Sequence, residues 1–130
     1  MNQKEPLGRD DPQNIRARAF AYAIRSVRLF RYLQDHRDGA GWILARQYLR
    51  SATSIGANIE EAQSGETRAD FVHKLGIAQK EARESFYWLR LMAESNLVPK
   101  AKLTPLMKET EELIAVVTSI IVSTKKRQRT

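Results

Sequence analysis

The chain has 130 residues, 42% hydrophobic and 28% charged, enough for one compact core and too little for two. Its 22 Lys and Arg against 15 Asp and Glu leave a net charge of +7, which points first to polyanions or acidic surfaces as partners. The absence of cysteine excludes a disulfide framework, a thiolate nucleophile and a Cys-ligated zinc, and it suits a reducing cytoplasm, the expected location.

Residues 1–12 are polar, lack the apolar stretch of a secretory signal, and read as a flexible N-terminal segment. A bundle domain is expected over 13–124. The spacing predicts a first helix over about Gln13 to His36, entered at Asp11-Pro12, where Asp can cap and Pro suits the first helical position. It closes at Asp38-Gly39-Ala40-Gly41. Two apolar arcs adjoin on this helix, Ala23, Phe20, Val27, Phe30 and Ile24 on one, Ile15, Tyr22, Leu29 and Leu33 on the other. Together they exceed one core-facing stripe, so the first helix is either a wide helix in a loose core or carries a second apolar face for self-association.

A second helix is predicted from about Trp42 to Gln63, with Tyr48, Ala52, Ile55, Ile59 and Ala62 on its apolar row, ending at Ser64-Gly65. The third opens at Thr67, with Asp70 three residues on as a short-armed capping box. Its row, Phe71, Leu75, Ala78, Ala82, Ser85, Leu89 and Met92, steps by four and three to a stop at Asn96 and Pro99. The fourth is expected to start at Thr104-Pro105 and to run to about Thr124 through Leu106, Thr110, Leu113, Val117, Ile120 and Thr124. Leu113 to Val122 is interrupted by Thr118 and Ser119, short of the roughly 20 apolar residues that span a bilayer, so no membrane partner is expected. A shared rhythm of fours and threes is the seam of shallow-angle packing, and short loops make neighbours antiparallel. The expected fold is all-α, an up-down-up-down four-helix bundle.

The stretch Arg50-Ser51-Ala52-Thr53-Ser54-Ile55-Gly56-Ala57-Asn58-Ile59-Glu60-Glu61, followed by Phe71, Leu75, Ile77-Ala78, Glu84 and Tyr87-Trp88-Leu89, resembles the four helix bundle protein family, also called ribosomal-RNA intervening-sequence or S23-type proteins. The likeness spans about Arg16 to Ile121. It implies a bundle that associates into a ring, commonly a pentamer with a central channel. It also implies similarity to the accessory variability proteins of diversity-generating retroelements, basic barrels that bind nucleic acid and a reverse transcriptase. The family implies no established reaction. Many members have Gly where Ala62 stands and Gly-Ser where Lys80-Glu81 stand, departures that resemble a subgroup.

Arg18, Arg25 and Arg28 fall within about 80° on the first helix with Tyr32 alongside, so guanidinium groups could meet phosphates and a ring could stack on a base. The same arginines equally suit a solvated helix face. Residues 125–130 read as a basic tail, in which Lys125, Lys126, Arg127 and Arg129 carry over half the excess charge; such a segment contacts phosphates or simply adds solubility. Ser51, Ser54, Asn58 and Glu61 are expected to form a polar seam with Glu84, through an Asn58–Glu84 bond between helices, or to line a channel in an oligomer.

Bundles can hold metals through carboxylates and Glu-x-x-His pairs. Asp70-x-x-His73 has the spacing but no second copy, and the other histidine, His36, sits at a helix end. No Gly-rich phosphate loop or catalytic triad is visible, so no cofactor, metal or enzymatic activity is expected. Trp42 and Trp88 suit packing or an interface better than a ligand platform. Two functions stay open: an oligomeric bundle binding RNA or a ribonucleoprotein through a basic surface with little base reading, and an oligomeric scaffold for a protein partner without a direct nucleic-acid role.

Overall fold

A computed structural model describes residues 12–35 and 39–129. Four helices follow in order: α1 (Pro12–Asp35), α2 (Gly39–Gln63), α3 (Arg68–Glu94) and α4 (Lys100–Arg129). The N-terminal segment before Pro12, His36 and Thr130 lie outside the described residues.

The rows predicted for α2, α3 and α4 are the buried rows, Phe71 alone being only half-buried. On α1 the arc of Ile15, Tyr22, Leu29 and Leu33 is buried, joined by Ala19 and Ser26 at the same spacing. Most of the other arc turns outward: Phe20 is 67% exposed, and Ile24 and Val27 are each 39% exposed, while Ala23 is half-buried and Phe30 is half-buried against the core. Cross-helix pairs fix the directions. Arg16 meets Glu60 and Ser26 meets Tyr48 between α1 and α2, Ser51 meets Ser85 and Glu61 meets Lys74 between α2 and α3, and Tyr22 meets Thr110 and Tyr32 meets Lys102 between α1 and α4. In each of these three pairs of helices the residue numbers rise on one side as they fall on the other, so the helices of each pair run antiparallel, and α4 therefore runs antiparallel to α3 as well. Each helix packs on its two sequence-adjacent neighbours, with α4 closing the square against α1 and no diagonal contact among the described residues. Core positions such as Leu89 and Ile55 are fully buried, each contributing about 1.5–3 kcal/mol.

Helix ends differ from expectation at three places. α2 begins at Gly39 rather than Trp42, because Gly41 is buried on the same face as Ala45 and Tyr48 and extends that row. α4 begins at Lys100, so Pro105 stands inside the helix instead of at its start. Burial of Val98 and Leu103 pins this earlier turn to the core, and that gain outweighs the backbone bond Pro105 cannot donate. α4 also runs five residues past Thr124 to Arg129, since the segment expected as a tail has no helix breaker.

The end of α3 follows its residues closely. Thr67 caps the start, its Oγ1 accepting from the Asp70 amide at 3.0 Å. At the other end Asn96 takes φ 59°, while the Leu97 amide reaches back to the Met92 carbonyl at 3.1 Å and the Asn96 amide to the Ala93 carbonyl at 3.2 Å. Asn tolerates that left-handed conformation, and the two bonds satisfy carbonyls the helix end would otherwise leave open.

Candidate nucleic-acid interface

The α1 stripe divides in the folded chain. Arg18 faces α4, where its Nε and Nη2 donate to Glu109 Oε2 and Oε1 at 3.1 and 2.8 Å, and its Nη1 lies 3.9 Å from Glu112. The Glu109 hydrogen bond raises the Arg18 pKa further above its ordinary value. This guanidinium is therefore engaged by two carboxylates, which its sequence spacing did not reveal.

Arg25, Arg28 and Tyr32 do come together, on one side of a cleft of about 350 Å³ between α1 and α4. Lys102 joins them from α4, and Leu29, Pro105 and Leu106 line the rest. Among the described residues no carboxylate pairs with Arg25, Arg28 or Lys102. The Lys102 ammonium sits 4.6 Å from the centroid of the Tyr32 ring, a cation–π contact. One face of that ring is thus covered by a lysine, where the sequence suggested a platform open to a base.

Lys125, Lys126 and Arg127 are exposed on the last turns of α4, and Arg127 donates to Thr124 Oγ1 at 3.2 Å; Arg129 ends the helix. At about 1.5 Å per residue, Lys125 lies roughly 35 Å along α4 from Lys102. The structure does not bring these cations to the cleft; it sets them at the opposite end of the bundle.

The expected polar seam also divides. Ser51 is buried, its Oγ 2.8 Å from Ser85 Oγ across α2 and α3. Asn58 donates to the Ser54 carbonyl and Oγ at 2.9 and 3.0 Å within α2. Glu61 is exposed and accepts from Lys74 at 2.7 Å. Glu84 is bound by Arg50 and by the Trp88 indole N–H, the latter at 2.9 Å. The bond expected between Asn58 and Glu84 is therefore not formed, because each has a nearer partner. The Arg50 hydrogen bond, then the Trp88 one, lower the Glu84 pKa from its usual 4.5.

A different polar chain crosses the core. Thr110 Oγ1 donates to the Leu106 carbonyl at 2.6 Å, Tyr22 and Thr110 hydroxyls are 2.6 Å apart, Tyr48 donates to Tyr22 at 2.9 Å, and Ser26 lies 2.8 Å from Tyr48 and 2.9 Å from the Tyr22 carbonyl. Since Thr110 spends its proton on a carbonyl, Tyr22 must donate to Thr110, and the chain runs Ser26, Tyr48, Tyr22, Thr110. Ser26 has one proton for two acceptors and shares it. Burial, its largest cause, raises the Tyr22 pKa and raises that of Tyr48 well above the ordinary value. Tyr22, Tyr48 and Thr110 were visible as hydroxyl residues on core positions; Ser26 was signalled only by its place between Tyr22 and Leu29.

Asp70 and His73 are both exposed, and among the described residues no group of three or more His, Asp or Glu is placed to hold a metal ion. Trp42 packs against Phe30, ring centroids 5.4 Å apart, and Trp88 against Tyr87 at 5.1 Å. No described helix is long and apolar enough to cross a membrane.

A family model described as 23S rRNA-intervening sequence protein matches residues 13–119. A crystal structure of a protein with unknown function from the S23 ribosomal protein family of Bacteroides thetaiotaomicron is similar, with a TM-score of 0.77 and 34% identity over 85% of this chain and 96% of that one. Among proteins with curated descriptions, none matches.

Proposed function

Because the chain belongs to the 23S rRNA-intervening sequence protein family, we propose that it is a non-enzymatic, self-associating helical bundle that binds RNA in the cytoplasm through the cationic rim of the α1–α4 cleft. The observation that carries this reading is the trio Arg25, Arg28 and Lys102, converging from two helices without a neutralising carboxylate among the described residues. Such a rim attracts phosphates by charge and shape and reads bases little. Self-association, in a ring of five copies as the resemblance implies, is supported by the outward apolar arc of Phe20, Ile24 and Val27, which costs free energy in water and gains it against a second copy.

Fluorescence anisotropy with labelled RNA and DNA, from about 50 to about 300 mM salt, tests the RNA contact. The wild type is expected to lose affinity steeply as salt rises, and Arg25→Gln/Arg28→Gln/Lys102→Gln to bind more weakly with a log–log slope shallower by about 2–3. A chain ending at Thr124 is expected to retain binding. Binding carried by residues 125–130 alone, or none at low salt, would overturn the reading and put a protein-binding scaffold in its place. Sedimentation of Phe20→Asp/Ile24→Asp in the same buffer tests association: an unchanged mass removes the α1 arc as the interface.

A further inference from the structure

The outer side of α3 carries a pattern with no use so far. Lys80, Arg83, Tyr87 and Arg90 recur at steps of three and four, opposite the buried Ala78, Ala82, Ser85 and Leu89. They occupy an arc of about 80° and a length of about 15 Å. All four are exposed, Tyr87 by 55%. Among the described residues Lys80, Arg83 and Arg90 have no carboxylate partner. The adjacent acids that could have neutralised them, Glu81 and Glu84, are instead drawn towards α2 by Arg50.

Tyr87 is also braced. Its ring meets Trp88 edge-on, centroids 5.1 Å apart and planes at 72°. Trp88 is half-buried, and its N–H is held by Glu84, itself held by Arg50. The series Arg50, Glu84, Trp88, Tyr87 thus presents an aromatic ring in a set orientation between arginines. An exposed ring held this way loses little side-chain freedom on binding a flat partner.

We infer that this face binds a short single-stranded stretch of RNA, one base stacking on Tyr87 and the flanking phosphates meeting Arg83, Arg90 and Lys80. A duplex would offer the cations its phosphates and leave the ring unused, whereas an unpaired strand uses both. The inference rests on the RNA-binding reading and extends it to a second surface, because α1 and α3 stand diagonally in the bundle and their outer sides face apart.

The test compares a labelled single-stranded oligouridine with a blunt-ended, fully paired RNA duplex, using the full chain. Tyr87→Ala is expected to weaken oligouridine binding about 5- to 100-fold while leaving duplex binding and the salt slope unchanged, and Tyr87→Phe to restore it. Arg83→Gln/Arg90→Gln is expected to make the oligouridine slope shallower by about 1.4. In a Trp42→Phe background, which leaves Trp88 as the sole indole, oligouridine should quench the fluorescence, and Tyr87→Ala should reduce that quenching. Wild-type affinity in Tyr87→Ala overturns the inference, and so does a fall in oligomer mass with equal losses on both RNAs, which marks an interface between copies. Loss confined to the Arg25, Arg28 and Lys102 variants overturns this inference alone, whereas a wild type that binds neither RNA overturns both readings.

Discussion

The most exposing test of the packing is Thr110→Val, which keeps the shape of a fully buried side chain and removes one oxygen. In the wild type that oxygen accepts from Tyr22 and donates to the Leu106 carbonyl. The Leu106 carbonyl has its ordinary helical partner available, so its loss is small. The Tyr22 hydroxyl fares worse: its remaining neighbour on that side, Tyr48, already donates to it, which leaves a buried proton with no acceptor unless the whole chain reverses. A reversal would require Tyr48 to donate to Ser26, and Ser26 to rely on the Tyr22 carbonyl alone, a rearrangement the 2.8 and 2.9 Å distances permit. The expected cost is therefore about 1–2 kcal/mol, the lower part of the range for an unsatisfied buried donor. For a chain of this length that is a fall in Tm of roughly 4–8 °C. Urea denaturation followed by far-ultraviolet circular dichroism, at one fixed protein concentration, reads it. The double variant Tyr22→Phe/Thr110→Val should lose less than the sum of the single variants, by about 1 kcal/mol, because the second change removes the stranded proton. Thr110→Val within about 0.3 kcal/mol of the wild type, with an additive double variant, would refute the stranded-proton reasoning and show that the chain reverses without cost.

Arg18→Gln is expected to lower stability by about 1 kcal/mol, since it breaks a two-pronged, partly buried pair with Glu109, while leaving RNA affinity within twofold; anisotropy and urea denaturation on the same sample check both. Glu84 has a lowered folded-state pKa, so its contribution to stability is fully present above about 4.5, the unfolded value, and is lost as pH falls through the folded one. The stability gap between wild type and Glu84→Gln should accordingly close on acidification below pH 4.5; a gap that stays constant there would show that the Arg50 and Trp88 contacts do not favour the ionised carboxylate.

Most of the fold is legible because it is written at short range. A helix face repeats within a few residues, so Leu75, Ala78, Ala82 and Leu89 reveal their row without knowledge of a partner. The Thr67 cap and the Asn96 stop are likewise local: each acts on backbone groups within four residues. Even the doubled apolar surface of α1 is apparent from the residues, and so is its stripe of Arg18, Arg25 and Arg28, though not that Glu109 takes Arg18 out of it.

What the sequence leaves open is whatever depends on register between helices. Two apolar arcs on α1 are equivalent until α2 and α4 choose the one holding Tyr22 and Leu29, which leaves Phe20 exposed. Arg18 and Arg25 look alike along the helix, yet one faces Glu109, 91 positions away, and the other faces Lys102 across a cleft. Pro105 reads as a helix start by local rules, and only the burial of Leu103 shows that α4 begins earlier. Lys80, Arg83 and Arg90 become a cationic face because α2 places Arg50 where it draws off Glu81 and Glu84. The residues determine four amphipathic helices and the caps of α3; packing decides where α4 begins and which charges cancel, because burial, Coulomb attraction and hydrogen bonding act over a few ångströms of space, whatever the separation along the chain.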